Sequence, residues 1–94
     1  MTVGKRNYRF THALGKDEAL RRVAPMAENL ARKYMMKVTP NATGFDLSGK
    51  GTSATVVVTD DAVEVTMDLP FVIEKLAGDQ IDRELNYKVP KALA

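Results

Sequence analysis

Val56-Val-Val-Thr-Asp-Asp-Ala-Val-Glu-Val65 holds two β-branched runs on either side of an Asp60-Asp61 corner. β-Branched side chains favour strands, and aspartate favours tight turns because it bonds its own backbone and tolerates left-handed φ. The stretch therefore predicts an antiparallel hairpin. Its second arm continues, with Val63, Val65, Met67 and Leu69 alternating against Glu64, Thr66 and Asp68. Such a period of two, with one wet and one dry face, marks an antiparallel sheet covered on one side.

Upstream of the hairpin, Ala54, Val56 and Val58 alternate with Thr55, Val57 and Thr59, after a turn at Gly49-Lys-Gly51. Thr43 to Ser48 alternates in the same way, with Phe45 and Leu47 inward. Tyr8, Phe10 and His12 share one face of a first strand, opposite Asn7, Arg9 and Thr11. Between these strands the period changes. Leu20, Val23, Ala27, Leu30, Ala31 and Tyr34 recur at three- and four-residue steps, the stripe of an amphipathic helix over 16–35. Gly15 with Glu18 three residues on is its start signal. Pro25 removes a backbone donor inside it and predicts a bend. Met36 to Thr39 is a candidate short strand ended by Pro40-Asn41-Ala42, and it is left out of the sheet count.

After Pro70, residues 71–77 form a short helical segment with Val72, Ile73 and Leu76 apolar. Gly78 interrupts it, Asp79 caps a second segment carrying Ile81, Leu85 and Val89, and Pro90 limits the end. The expectation is one α+β domain over 1–94, in the order β-α-β-β-β-α. It has a four-stranded antiparallel sheet with both helices packed on one face, the second of them broken.

Composition bounds the function. Ninety-four residues make one domain with one modest core. The absence of cysteine excludes disulfides, thiolate nucleophiles and cysteine-held metals. No secretory leader is read in Met1-Thr-Val-Gly-Lys-Arg and no run reaches membrane-span length, so a cytoplasmic location is expected. The net charge of +2 hides an asymmetry: residues 1–37 carry nine Lys/Arg against three Asp/Glu, and residues 38–94 carry five against nine. Dispersed basic residues favour two halves with complementary charge over a nucleic-acid patch, which would be the alternative.

Candidate sites are few. His12, the one histidine, is the only side chain whose ordinary pKa lies near neutrality, so it is the candidate functional residue, weighed against a turn-bracing role. Gly44 to Gly51 nearly matches a phosphate-binding loop, but Gly51 stands where a hydroxyl residue should hold magnesium, and a strand follows instead of a helix. Asp60-Asp61 is turn chemistry before it is a metal pair. Tyr8 and Phe10 among Lys5, Arg6 and Arg9 would stack bases only from an open sheet face, and a core role is favoured. Asn41-Ala-Thr43 fits a glycosylation acceptor that needs a secretory route. Met26, Met35, Met36 and Met67 offer an adaptable apolar surface, with Met67 more simply core. No catalytic, cofactor-binding or metal-ligating set is assigned, and no cofactor is implied.

His12-Ala-Leu14-Gly15 followed by an Ala/Arg-rich helix, then Phe45, Ser48-Gly49, Gly51, Asp60-Asp61, Val63, Val65, Leu69, Phe71, Gly78, Ile81 and Leu85, resembles the small bacterial polyhydroxyalkanoic acid system proteins. The resemblance runs from about residue 9 to 93 and rests on order and spacing; Pro25 and Pro90 depart from it. It implies association, by genomic setting, with polyester storage granules, and it carries over no catalytic residue. Phasins, the granule coat proteins, are mostly helical and this chain is not. The resulting expectation is a non-enzymatic accessory of polyhydroxyalkanoate storage, acting through a granule protein, the granule surface or a second copy of itself. A small ligand-binding or catalytic domain using His12, or a basic nucleic-acid module, is the alternative.

Overall fold

A computed structural model describes residues 4–49 and 51–94, with the side chains of residues 71–73 left aside. Lys50 of the near-miss loop and the apolar side chains of Val72 and Ile73 fall outside the described residues. The elements are β1 (Gly4–Thr11), α1 (Lys16–Lys33), β2 (Lys37–Asn41), β3 (Gly44–Gly49), β4 (Thr52–Val58), β5 (Ala62–Leu69) and α2 (Phe71–Leu93). The α+β class, the antiparallel sheet and both helices on one face are as expected.

The sheet has five strands, not four, in the order β1-β5-β4-β3-β2. The additional strand is β2, whose register with β3 pairs Lys37 with Ser48 and Asn41 with Gly44. It lacks the alternation that betrays a strand because it is an edge: only Val38 is half-buried and its other residues are exposed. Pro40 is tolerated there because an edge strand need not donate on both sides. Its hairpin closes on Asn41, whose Oδ1 accepts the Thr43 and Gly44 backbone N–H groups, each at 2.9 Å. Gly44 is required at this corner: a Cβ there would lie 1.9 Å from the Val56 carbonyl oxygen.

The second correction concerns α2, which is one unbroken helix rather than two segments. Glycine inside a helix costs only about 1 kcal/mol against alanine, which packing overrides. Here the missing side chain makes room, since a Cβ on Gly78 would come within 2.7 Å of both the Arg6 guanidinium and the Glu74 carboxylate. Pro90 does not end the helix, which runs on to Leu93; its missing N–H costs one bond to the Asn86 carbonyl near the C-terminus. Pro25 likewise sits inside a single helix, on its exposed side.

The core lies between sheet and helices. Ala54, Val56 and Val58 of β4 and Val63, Val65, Met67 and Leu69 of β5 form its floor. Val23, Met26, Ala27, Leu30 and Ala31 of α1 close it from above, as do Ile81, Leu85, Val89 and Leu93 of α2. α1 lies over β2, β3 and β4, whereas α2 lies over β1 and β5. Lys33 pairs with Glu84 and Arg22 donates to the Ala94 carbonyl, so the helices run antiparallel. Tyr8 and Phe10 face the helices, half-buried against the core with rings stacked at 6.3 Å, which removes them from the open face. That open face presents Lys5, Asn7 and Arg9 with Asp46, Ser53, Thr55 and Glu64, all exposed.

Candidate functional site

The antiparallel helices do not cover the sheet evenly. Between the C-terminal half of α1, the middle of α2 and strands β3–β5 they leave an apolar cavity of about 110 Å³. Met26, Ala27 and Leu30 wall it from α1, Ile81 and Leu85 from α2, and Leu47, Ala54, Val56, Val65, Met67 and Leu69 from the sheet. All of these are buried; the remaining lining residues, Tyr34, Met36 and Thr52, are half-buried and mark the mouth. At about 24 cal/mol per Å³, a void of this size costs roughly 2–3 kcal/mol. That is a substantial fraction of the 5–15 kcal/mol holding a domain together. Met26 and Met36, read as part of an adaptable surface, face this interior space instead, as does Met67, which takes the core place favoured for it. Met35 alone among those four points outward, 68% exposed.

The mouth has a defined rim. α1 ends in a turn where the Met36 N–H donates to the Ala31 carbonyl at 2.7 Å and the Met35 N–H to that of Arg32 at 3.5 Å. This is the pattern of a Schellman cap, in which the penultimate position is left-handed and usually glycine. Met35 occupies it with φ 57°. Gly49 lets this corner press against the end of β3, since a Cβ there would lie 2.7 Å from the Met35 carbonyl oxygen. On the α2 side, Glu84 gathers Lys33 and Lys88, and the Tyr34 hydroxyl donates to its Oε1 at 3.1 Å. Partial burial raises the Glu84 pKa, but hydrogen bonds from Lys33, Lys88 and Tyr34 outweigh it and lower the value to about 2. Burial, reinforced by Glu84, pushes the Tyr34 phenol up to about 12.

His12 lies at the other end of the molecule. Its ring Nδ1 accepts the Leu14 N–H at 3.1 Å, and its Nε2 stands 3.1 Å from the Thr59 carbonyl. In the neutral ring these partners place the proton on Nε2, donated to the Thr59 carbonyl. Its backbone N–H donates to the Asp61 carbonyl at 2.9 Å. Asp60 Oδ1 accepts the Lys16 N–H at 3.2 Å and so caps α1 from across the chain, while Gly15 offers no side-chain cap and Glu18 turns to Arg21 and Arg22. Asp61 accepts the Thr59 hydroxyl at 3.1 Å. His12 and Asp60-Asp61, read separately from the sequence, are thus brought into one hydrogen-bonded knot that ties the β1–α1 connection to the β4–β5 corner. Neither aspartate uses left-handed φ; Met35 is the one non-glycine residue described that does.

The basic first half is answered by carboxylates from the second. Arg6 pairs with Glu74, Asp79 and Asp82, Arg9 with Glu64, and Lys33 with Glu84. The cavity escaped the sequence because its walls are ordinary core residues; the methionine content was the one signal that pointed toward it. Among the described residues no helix is long and apolar enough to cross a membrane.

A family model described as "Putative polyhydroxyalkanoic acid system protein" matches residues 8–93. The chain belongs to this polyhydroxyalkanoic acid system family. The match begins at Tyr8 and ends at Leu93, so all of β2 to β5, both helices and the cavity walls lie inside the family's span. No curated protein and no solved structure gives a match.

Proposed function

We propose that this protein is a non-enzymatic accessory of polyhydroxyalkanoate storage, acting through contacts with a granule protein or the granule surface. Membership of the polyhydroxyalkanoic acid system family over nearly the whole chain is the observation that carries this reading. The geometry is compatible with it. Both ring nitrogens of His12 are engaged by backbone groups, which suits a brace more than a proton shuttle. Exposed Met35, Leu76 and Tyr87 supply apolar contact points on the helical side, opposite the polar sheet face. Fractionating polymer-accumulating cells on a density gradient tests the proposal. The protein is expected to migrate with the granules; a wholly soluble distribution while granules are abundant would overturn it.

A further inference from the structure

We propose that the cavity binds the aliphatic tail of a carboxylic acid, with the carboxylate at the cationic shelf beside Tyr34. The wall dictates the tail. Its buried part is hydrocarbon and thioether, and a buried polar group without a partner is unfavourable there. Apolar cavities of comparable size, about 150 Å³, stay dry and accept benzene-sized ligands. Met26, Met36 and Met67 give this wall flexible side chains able to re-pack around an extended chain, where a fixed slot would suit a rigid ring.

The head group follows from the mouth. Tyr34, which lines the cavity, is hydrogen-bonded to Glu84 of the adjoining cleft. That cleft carries Lys33, Arg83 and Lys88 against the single carboxylate of Glu84. Glu84 already answers Lys33 and Lys88, and Arg83 makes no ion pair among the described residues. An incoming carboxylate therefore meets a surplus of cations one side chain away from the apolar space. A ligand with a hydrocarbon end and an anionic end satisfies both halves of the site.

The proposal rests on the cavity and stands apart from granule association. Protein that binds the acid but sediments free of granules would keep this inference and lose the other, and the reverse outcome would do the opposite.

Isothermal titration of the full chain with octanoate, 1-octanol, toluene and acetate is the test. Octanoate is expected to bind saturably with one-to-one stoichiometry, several-fold tighter than 1-octanol at low salt, and acetate not at all. Ala54→Leu places a larger side chain in the cavity from its floor and is expected to weaken octanoate at least tenfold without lowering the unfolding temperature. If that variant does not fold, Ala27→Leu fills the same space from α1. Absence of saturable octanoate binding, or full binding by a folded cavity-filled variant, would overturn the site. Equal affinity for 1-octanol would overturn the anionic head, and tighter binding of toluene would overturn the chain.

Discussion

The two ends of the molecule are built on opposite terms. At one end the β4–β5 corner, the β1–α1 connection and the last residues of α2 are tied by directional bonds. His12 reaches Thr59 and Asp61, Asp60 caps α1, and Arg22 holds the Ala94 carbonyl. At the other end the α1–β2 corner, strands β3–β5 and the middle of α2 surround an unfilled space, with a methionine held in left-handed φ at the rim. Both ends carry polar networks, but the second, with Glu84 gathering Lys33, Lys88 and Tyr34, also retains a void and a side-chain-bearing residue in left-handed φ. Strain and voids are maintained at a cost, and they gather where a structure does something besides stand up. The same chain length could have been distributed the other way, so the asymmetry marks the cavity end as the place to look for binding.

Perturbing the tied end should cost the most. Gly44→Ala places a methyl 1.9 Å from the Val56 carbonyl oxygen, against backbone that cannot rotate away. The expected loss is about 3 kcal/mol or more, read as a fall in the urea midpoint. A loss well under 1 kcal/mol would show that β3 can pull back from β4, and that this end is looser than its bonds suggest. His12→Ala removes two ring hydrogen bonds and leaves the Leu14 N–H and the Thr59 carbonyl to find water. The expected loss is about 1–2 kcal/mol, with the core otherwise intact by circular dichroism. Octanoate binding, at the far end, should not change.

The cavity end carries its own electrostatic signature. Folded Glu84 titrates near 2 against an ordinary value near 4.5, so the unfolded chain takes up the proton first as pH falls. The stabilisation is therefore complete above about pH 4.5 and is lost progressively as pH drops toward 2. Solvent screening around Lys33 and Lys88, both more than a third exposed, limits it to the order of 1 kcal/mol. Glu84→Gln should flatten this acid limb in thermal melts between pH 5 and pH 2. An unchanged limb would place the acid sensitivity elsewhere.

How far the sequence revealed these two ends differs in a telling way. The long alternations in β4 and β5, and the stripe of α1, are legible because each buries one face and repeats it several times. β2 is legible only in part: Met36–Thr39 reads as a candidate strand, but an edge strand that buries only Val38 has no period to place it in the sheet or to carry it through Pro40 and Asn41. Gly78 misleads for the opposite reason. It looks like a break when read along α2, but its neighbour in space is Arg6, far away along the chain. His12 and the Asp60-Asp61 corner are each visible as special residues, yet their union depends on pairing β1 with β5, which no local pattern states. The cavity is the least legible feature. It is an absence of volume among residues that individually read as core, and the sequence of each wall is indifferent to whether the walls meet.

The smallest expected effect tests whether the rim is strained or merely unusual. Met35 sits at the left-handed position of the α1 cap with its side chain largely in solvent, so little packing offsets the conformational penalty. For a side-chain-bearing residue that penalty is about 1–2 kcal/mol, whereas glycine adopts the same φ freely. Met35→Gly should therefore stabilise the fold, but by less than the full penalty, since glycine also enlarges the conformational freedom of the unfolded chain. The expected net gain is about 0.5–1 kcal/mol, seen as a small rise in unfolding temperature. If Met35 serves only as a cap, that gain comes with unchanged octanoate affinity and unchanged granule sedimentation. If its exposed thioether is a contact point of the open end, stability rises while one of those two readouts falls. A drop in stability would overturn the strain argument and leave the methionine as a packing residue of the corner.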